Sequence, residues 1–252
     1  MGLVKKIARK LGFDPGVLRS YRHLPLYWKQ RKEWLRQGGV ITRKFTILHD
    51  YDDSAGTAKG HYFHQDLLVA SYINAIQPKR HVDVGSRIDG FVAHVASFRE
   101  IEVFDVRPLP PTAHKNIVFK KADLMDETGF EITDSLSCLH TIEHFGLGRY
   151  RDPIDVNGHL KGIANLVNML TKGGRLYISF PIGRGDEVHF NAHRVFHPTS
   201  ILNYDAIKSS MVLEKFDFVD DAGDLHIGAD VASAAANVRY GCGIYTFRKL
   251  LS

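Results

Sequence analysis

Ten residues constrain this chain more than any other stretch: His81-Val82-Asp83-Val84-Gly85-Ser86-Arg87-Ile88-Asp89-Gly90. They read as a short apolar strand that carries an acid, turns over a glycine and enters a helical pattern near Asp89. Strand, glycine turn and helix is the unit from which α/β folds build a nucleotide pocket, because a bare backbone at the turn lets a ligand approach the strand's carboxyl end. The two glycines do not make G-x-G-x-x-G, and Arg87 stands where a pyrophosphate cradle needs bare backbone, which disfavours a nicotinamide dehydrogenase.

The same pattern recurs downstream. Phe91, Val92, Val95 and Phe98 form the stripe of a crossover helix, and Ile101 to Phe104 is a second strand ending in Asp105. Asp105 lies twenty positions past Gly85 (105 − 85), where nucleotide-binding α/β proteins hydrogen-bond a ribose diol. A third strand, Asn116 to Phe119, leads to Ala122-Asp123-Leu124, and a fourth, Ser135 to Leu139, opens into His140-Thr141-Ile142-Glu143-His144. A helix from about Val156 is expected to stop at Gly173-Gly174, before a fifth strand at Arg175 to Phe180. Strands alternating with helices at this pace imply a mostly parallel sheet. Upstream, His61 to Ile76 reads as a helix with Phe63, Leu67, Leu68, Ala70, Ile73 and Ala75 turned inward, and with Tyr62, Gln65 and Asp66 able to border the pocket. Downstream, Val212 to Val219 and Gly241 to Leu250 read as an edge pair closing the sheet, with an alanine-rich helix at Ala229 to Ala236 between them.

Charge separates the chain into two parts. The net charge is +5, yet residues 1–40 hold ten Lys and Arg against two acids (10 − 2 = +8), leaving 23 − 26 = −3 for the rest. The basicity therefore belongs to an N-terminal arm, residues 1–44, and not to a groove in the main domain, residues 45–252; no nucleic-acid partner is expected. Leu3, Val4, Ile7, Ala8 and Leu11 face away from Lys5, Lys6, Arg9 and Lys10, and a second basic stretch, Tyr27 to Leu35, carries Trp28 and Trp34. Such an arm suits an anionic membrane surface or packs on the main domain. There is no transmembrane-length apolar run and no signal peptide, so the expected location is cytoplasmic, with peripheral attachment at the inner face of the membrane through the arm. Cys138 and Cys242 read as buried reduced thiols.

Together, Asp83-x-Gly85, Asp105, Ala122-Asp123, Glu143-His144-Phe145 and Gly173-Gly174-Arg175-Leu176 resemble the class I S-adenosylmethionine-dependent methyltransferases. The run from Glu143 to Tyr150, Asp152-Pro153-Ile154-Asp155, and Phe190 to Val195 resemble, more closely, an uncharacterised methyltransferase-like family linked to bacterial surface polysaccharides. The resemblance implies a Rossmann-like α/β fold with a mostly parallel seven-stranded sheet and helices on both faces. It implies S-adenosylmethionine as cofactor, with Asp83, Gly85 and Ser86 facing its methionine end and Asp105 and Val106 its ribose. Asp123 and Leu124 fall to the adenine, and His140 borders the same site. Its implied reaction is O-methylation of a sugar or glycan acceptor.

Proton removal from a hydroxyl then falls to His144, with Glu143 orienting it and His193 as the second candidate. His189, His193 and His197 recur every four residues, and Arg149, Tyr150, Arg151, Asp152 and Asp155 suit sugar hydroxyls or a phosphate. Two other readings stay open, a non-catalytic binding protein on this fold and a metal-dependent hydrolase using the histidine loops. No metal is expected, because His140-x-x-Glu143-His144 is not His-Glu-x-x-His and begins at a strand end. The oligomeric state is left open.

Overall fold

A computed structural model describes residues 15–126 and 131–251. The chain divides into two compact units, residues 1–57 and 58–252. The expected helix over residues 3–11 lies outside the described residues. In the first unit, α1 (Pro15–Ser20) is followed by α2 (Leu24–Arg36), with Pro25 in its first turn where a missing N–H costs nothing. No residue of α2 is buried, and Trp28 and Trp34 are both more than half exposed.

The second unit is a sheet with helices on both faces. It opens with α3 (His61–Ile76) and β1 (His81–Val84), then a kinked helical turn over Ile88–Val92 that continues as α4 (Ala93–Ala96) into β2 (Ile101–Asp105). β3 (Ile117–Lys121), β4 (Thr133–Leu139), α5 (Gly158–Met169) and β5 (Leu170–Gly183) follow. A hairpin of β6 (Glu187–His189) and β7 (His193–Val195) stands apart from the sheet, and α6 (Asp205–Ser210), β8 (Met211–Val219), β9 (Leu225–His226), α7 (Val231–Asn237) and β10 (Tyr240–Lys249) complete the chain. The sheet order is β3-β2-β1-β4-β5-β10-β8-β9. The first five strands in that order are parallel and the last three antiparallel.

The sheet thus has eight strands instead of the expected seven, the extra one being the two-residue β9. The expected pair closing the sheet forms, with β8 antiparallel to β10; β10 is its inner strand, buried over Gly241–Phe247 beside β5, and the two-residue β9 adds the outermost edge. Period-two alternation feeds two apolar layers. Val82 and Val84 join Ile163, Leu166 and Val167 of α5 with Ile207 and Ala234 on one face. Val103, Leu139, Cys242 and Ile244 join Val69 and Ile73 of α3 and Phe91 and Val95 on the other.

Three local expectations change. Phe98, expected in the crossover stripe, is exposed because α4 has ended at Ala96. Gly173-Gly174 does not stop α5, which ends at Met169; the pair lies within β5, where Gly173 takes φ +77°. On α3, Phe63 and Leu67 are exposed, while Gln65 and Asp66 are buried beside Val69, Ala70 and Ile73. Gln65 turns inward because Ser179 of β5 donates to its Oε1 at 2.6 Å, satisfying a polar atom that a purely apolar stripe would leave no place for.

Candidate active site

The carboxyl ends of β1, β2, β3 and β4 open on one cavity of about 330 Å³, closed on its far side by the first turn of α3, the hairpin strand β7 and the start of β10. This is where ligands sit in parallel α/β sheets. Gly85 starts the turn after β1 at φ +71°, and a Cβ there would stand 2.3 Å from Thr141 Cγ2, so conformation and space both demand glycine. Asp105 ends β2 on the cavity wall, followed by Val106, and Asp123 and Leu124 come just beyond β3. Gly85, Asp105, Val106, Asp123, Leu124, His140, Glu143, His144 and His193 all line the cavity.

Asp83 and Ser86 do not. Asp83 is fully buried; its Oδ1 accepts from Ser86 Oγ and Ser137 Oγ, each at 2.6 Å, and its Oδ2 accepts from the Ser86 amide at 3.0 Å. Ser86 Oγ in turn accepts from the Leu139 amide at 3.1 Å. Both side chains are consumed in tying the β1 turn to β4, which removes them from the expected cofactor contacts and makes them supports of the turn. Burial pushes the Asp83 carboxyl up to about 7.

Asp105 has a partner that spacing did not reveal. Arg107 grips it through one guanidinium edge, Nε donating to Oδ1 at 2.9 Å and Nη2 to Oδ2 at 2.5 Å, and Nη2 reaches the Gly85 carbonyl at 3.4 Å. Arg107 also lies over the Tyr150 ring at 4.6 Å, and Arg149 over the same ring at 5.4 Å. Arg149, Tyr150 and Asp152 all line the cavity, and the Asp152 carboxylate also accepts from the amides of Gly146, Gly148 and Tyr150 at 3.0–3.2 Å. Arg107 is only two residues from Asp105, and an i, i+2 acid–Arg pair at a strand end was a signal available in the sequence.

His144 is oriented by the Ala192 carbonyl, not by Glu143. Its Nδ1 lies 2.8 Å from Ala192 O, an acceptor only, which fixes the proton on Nδ1 and leaves Nε2 as a lone pair. Arg149 Nη1 is 3.2 Å from the same Nδ1, but it donates to Ala192 O at 2.8 Å and cannot donate to a protonated nitrogen. Glu143 Oε1 is 3.7 Å from His144 Nε2 and 3.0 Å from His140 Nδ1, so its hydrogen bond goes to His140. Burial lowers His144 below the usual imidazole range, and burial followed by the charge of His189 does the same for His193. Both are neutral near pH 7. His193 Nε2 lies 3.3 Å from the Tyr240 hydroxyl.

The remaining histidines scatter. His189 pairs with His193 across the hairpin and holds Glu187 at 2.7 Å, while His197 Nδ1 meets Thr199 Oγ1 at 2.8 Å. The four-residue repeat is a hairpin register and a turn. Tyr62 lines the cavity as expected, with Arg87 over its ring at 5.0 Å, but Gln65 and Asp66 do not. His61, Arg107, Tyr240 and Thr141 line it unforeseen.

Residues 119–235, somewhat under half of the chain, match the family described as Caenorhabditis protein of unknown function, DUF268. No curated protein matches the sequence. Solved structures match in fold. The N-methyltransferase NodS from Bradyrhizobium japonicum WM9, in complex with S-adenosyl-L-homocysteine, is similar with a TM-score of 0.51 at 14% identity, covering 75% of this chain and 88% of that one. The O-methyltransferase from a trans-AT PKS multienzyme of Brevibacillus brevis, also with S-adenosyl-L-homocysteine, gives 0.50 at 10% identity over 73% and 72%. The cyclase SpnF gives 0.51 at 14% over 74% and 82%. The chain therefore has the Rossmann-like fold of the class I methyltransferases. That fold carries a cyclase as well as methyl transfer among these neighbours, so the reaction must be argued from the site.

Proposed function

We propose that the cavity binds S-adenosylmethionine and that the chain is a methyltransferase acting on oxygen, with a sugar or surface-glycan intermediate as acceptor. The observation that carries the cofactor reading is the set of acceptors and apolar side chains along β1, β2 and β3. A bare Gly85 turn, the Asp105 carboxylate twenty residues on, and Asp123 with apolar Phe104, Leu124 and Met125 beside it form one continuous wall. Carboxylates there suit hydroxyl and amino donors, and the apolar side chains suit a flat base. The glycan half rests on the sequence resemblance, supported by the guanidinium–tyrosine stack of Arg107, Tyr150 and Arg149 beside the acceptor space.

When bound, the cofactor supplies an electrophilic methyl group on a sulfonium. His144 lines the cavity with Nε2 unprotonated, and it would accept the proton that an acceptor hydroxyl gives up on methylation. The imidazolium that forms is stabilised by Glu143 at 3.7 Å. Isothermal titration with S-adenosylhomocysteine tests the reading. Binding is expected, weakened in Asp105→Ala by about 1–3 kcal/mol because the diol loses its charged acceptor. Folded protein that gives no heat removes the proposal.

For residues 1–40 we propose contact with an anionic membrane surface, supported by the +8 balance and the exposed Trp28 and Trp34. Flotation with phosphatidylserine vesicles at low salt is expected to carry the full chain and not a chain lacking residues 1–57. Equal recovery of both counts against it.

A further inference from the structure

Three side chains that lie far apart in the sequence meet behind the acceptor side of the cavity: His61 at the start of α3, His140 just past β4, and Cys242 in β10. One ligand atom from each, two imidazole nitrogens and the Cys242 Sγ, lie within 4.8 Å of one another. We propose that they form a binding site for a divalent transition metal of the zinc class, with its fourth position open to the cavity.

The first support is an unanswered polar atom. The His140 side chain is 6% exposed, its Nδ1 is hydrogen-bonded to Glu143 Oε1 at 3.0 Å, and its Nε2 is buried without a hydrogen-bond partner. A buried imidazole nitrogen left unpaired costs free energy, and a metal ion answers it. His140 sits at φ +48°, in the left-handed region that L residues seldom occupy, so the backbone accepts strain to hold the ring there. The ring stacks on His61 at 5.4 Å with an interplanar angle of 7°, which sets the two imidazoles side by side.

Glu143 is the second support. A metal-bound histidine nearly always donates its other N–H to a carboxylate, a backbone carbonyl or water, which fixes the tautomer and raises ligand basicity. The Glu143–His140 contact supplies that arrangement. Charge also closes: a dication, one thiolate and two neutral imidazoles leave +1, and the Glu143 carboxylate cancels it. Its Oε2 is buried and otherwise unpartnered.

Donor chemistry selects the ion. Two nitrogens and a thiolate match zinc-class ions and reject magnesium or calcium, which take oxygen. Tetrahedral zinc places such donors about 3.3–3.6 Å apart, so the site closes by roughly an ångström. His61 can supply that movement by side-chain rotation, because it is partly exposed at the first position of α3. His61 and His140 line the cavity and Cys242 does not, so the ion enters from the cavity and its open position faces the acceptor space. A lone pair of the acceptor, on oxygen, nitrogen or sulfur, is the ligand that position takes. The sequence hid this site because β10 reaches β5 only through the insertion that places Cys242 beside Pro181.

Cobalt(II) titration of the full, reduced chain tests the site without cofactor or acceptor. The expected result is one cobalt per chain, with a sulfur-to-cobalt charge-transfer band and the strong visible bands of tetrahedral cobalt, displaced by zinc. Cys242→Ser removes the charge-transfer band, His61→Ala weakens binding by at least about 100-fold, and Glu143→Gln weakens it by about 10–100-fold. Absence of the band in folded protein, or its survival unchanged in Cys242→Ser, overturns the site. If the serine variant does not fold, His61→Ala decides, and unchanged affinity there means adventitious binding by surface histidines. The inference stands apart from the cofactor reading: S-adenosylhomocysteine binding without the cobalt band sinks the metal alone, and the band without that binding sinks the cofactor alone.

Discussion

The two sides of the cavity are built on opposite plans. On the β1–β2–β3 side, polar groups are already spoken for: Asp105 on the wall is gripped by Arg107, and beneath the wall Asp83 accepts three hydrogen bonds and Ser86 ties β1 to β4. On the β4–β10 side, His140 Nε2 and Glu143 Oε2 are buried without partners, and His144 offers a free lone pair. A saturated wall presents a fixed shape to a ligand that is the same in every turnover. An unsaturated wall holds reactive groups ready for the group being changed, at a cost in stability that functional sites commonly carry.

The comparison breaks most severely at Gly85. Gly85→Ala is expected to put a methyl group 2.3 Å from Thr141 Cγ2 at a φ of +71°, so Thr141 and the whole β1 turn must move. We expect a stability loss of about 2 kcal/mol or more and the disappearance of S-adenosylhomocysteine binding, read by thermal unfolding and calorimetry. A folded Gly85→Ala protein that binds as wild type shows that the turn does not shape the saturated wall.

On the other wall the expected losses fall on rate. His144→Ala should lower kcat by roughly 10²-fold or more while cofactor affinity barely moves, once an acceptor is found. His193, whose Nε2 already meets the Tyr240 hydroxyl, should matter less. Abolished turnover in His193→Ala with full turnover in His144→Ala reverses the assignment. Full rate in both leaves alignment as the whole of the chemistry.

The saturated wall was also the more legible one, and for a physical reason. Its parts come from short strands that each have a glycine or an acid at the end or within two residues of it, Gly85, Asp105 and Asp123, and the distance from Gly85 to Asp105 is set by one helical crossover, which spacing can measure. What spacing could not measure was side-chain direction. Val82 and Val84 face one apolar layer, so Asp83 between them faces the other, away from the cavity; strand alternation already held that information. The unsaturated wall depends on long-range topology. Interior placement of β10, the hairpin that brings Ala192 to His144, and the inward turn of Gln65 toward Ser179 arise only when distant strands pair.

A pH signature is expected from two residues buried beneath the saturated wall. His81 and Asp83, two residues apart on β1, share Ser137, whose Oγ donates to Asp83 at 2.6 Å and lies 3.1 Å from His81 Nε2. Burial lowers His81 from 6.5 to about 3 and raises Asp83 from 3.8 to about 7. Between pH 3 and 6.5 the unfolded chain holds a proton on His81 that the folded chain lacks, so this residue makes stability rise with pH. Between pH 3.8 and 7 the folded chain holds a proton on Asp83 that the unfolded chain lacks, so that residue makes stability fall with pH. Where the windows overlap, from about pH 4 to 6.5, the two slopes oppose each other, each up to about 1.4 kcal/mol per pH unit. Urea unfolding across that range should therefore separate the variants. Relative to wild type, Asp83→Asn gains stability as pH rises, because only the His81 slope remains; His81→Asn loses it, because only the Asp83 slope remains. Parallel curves for all three proteins would mean that neither group changes its proton on unfolding, and the polar seam under β1 would then be as accessible to water as the opposite wall.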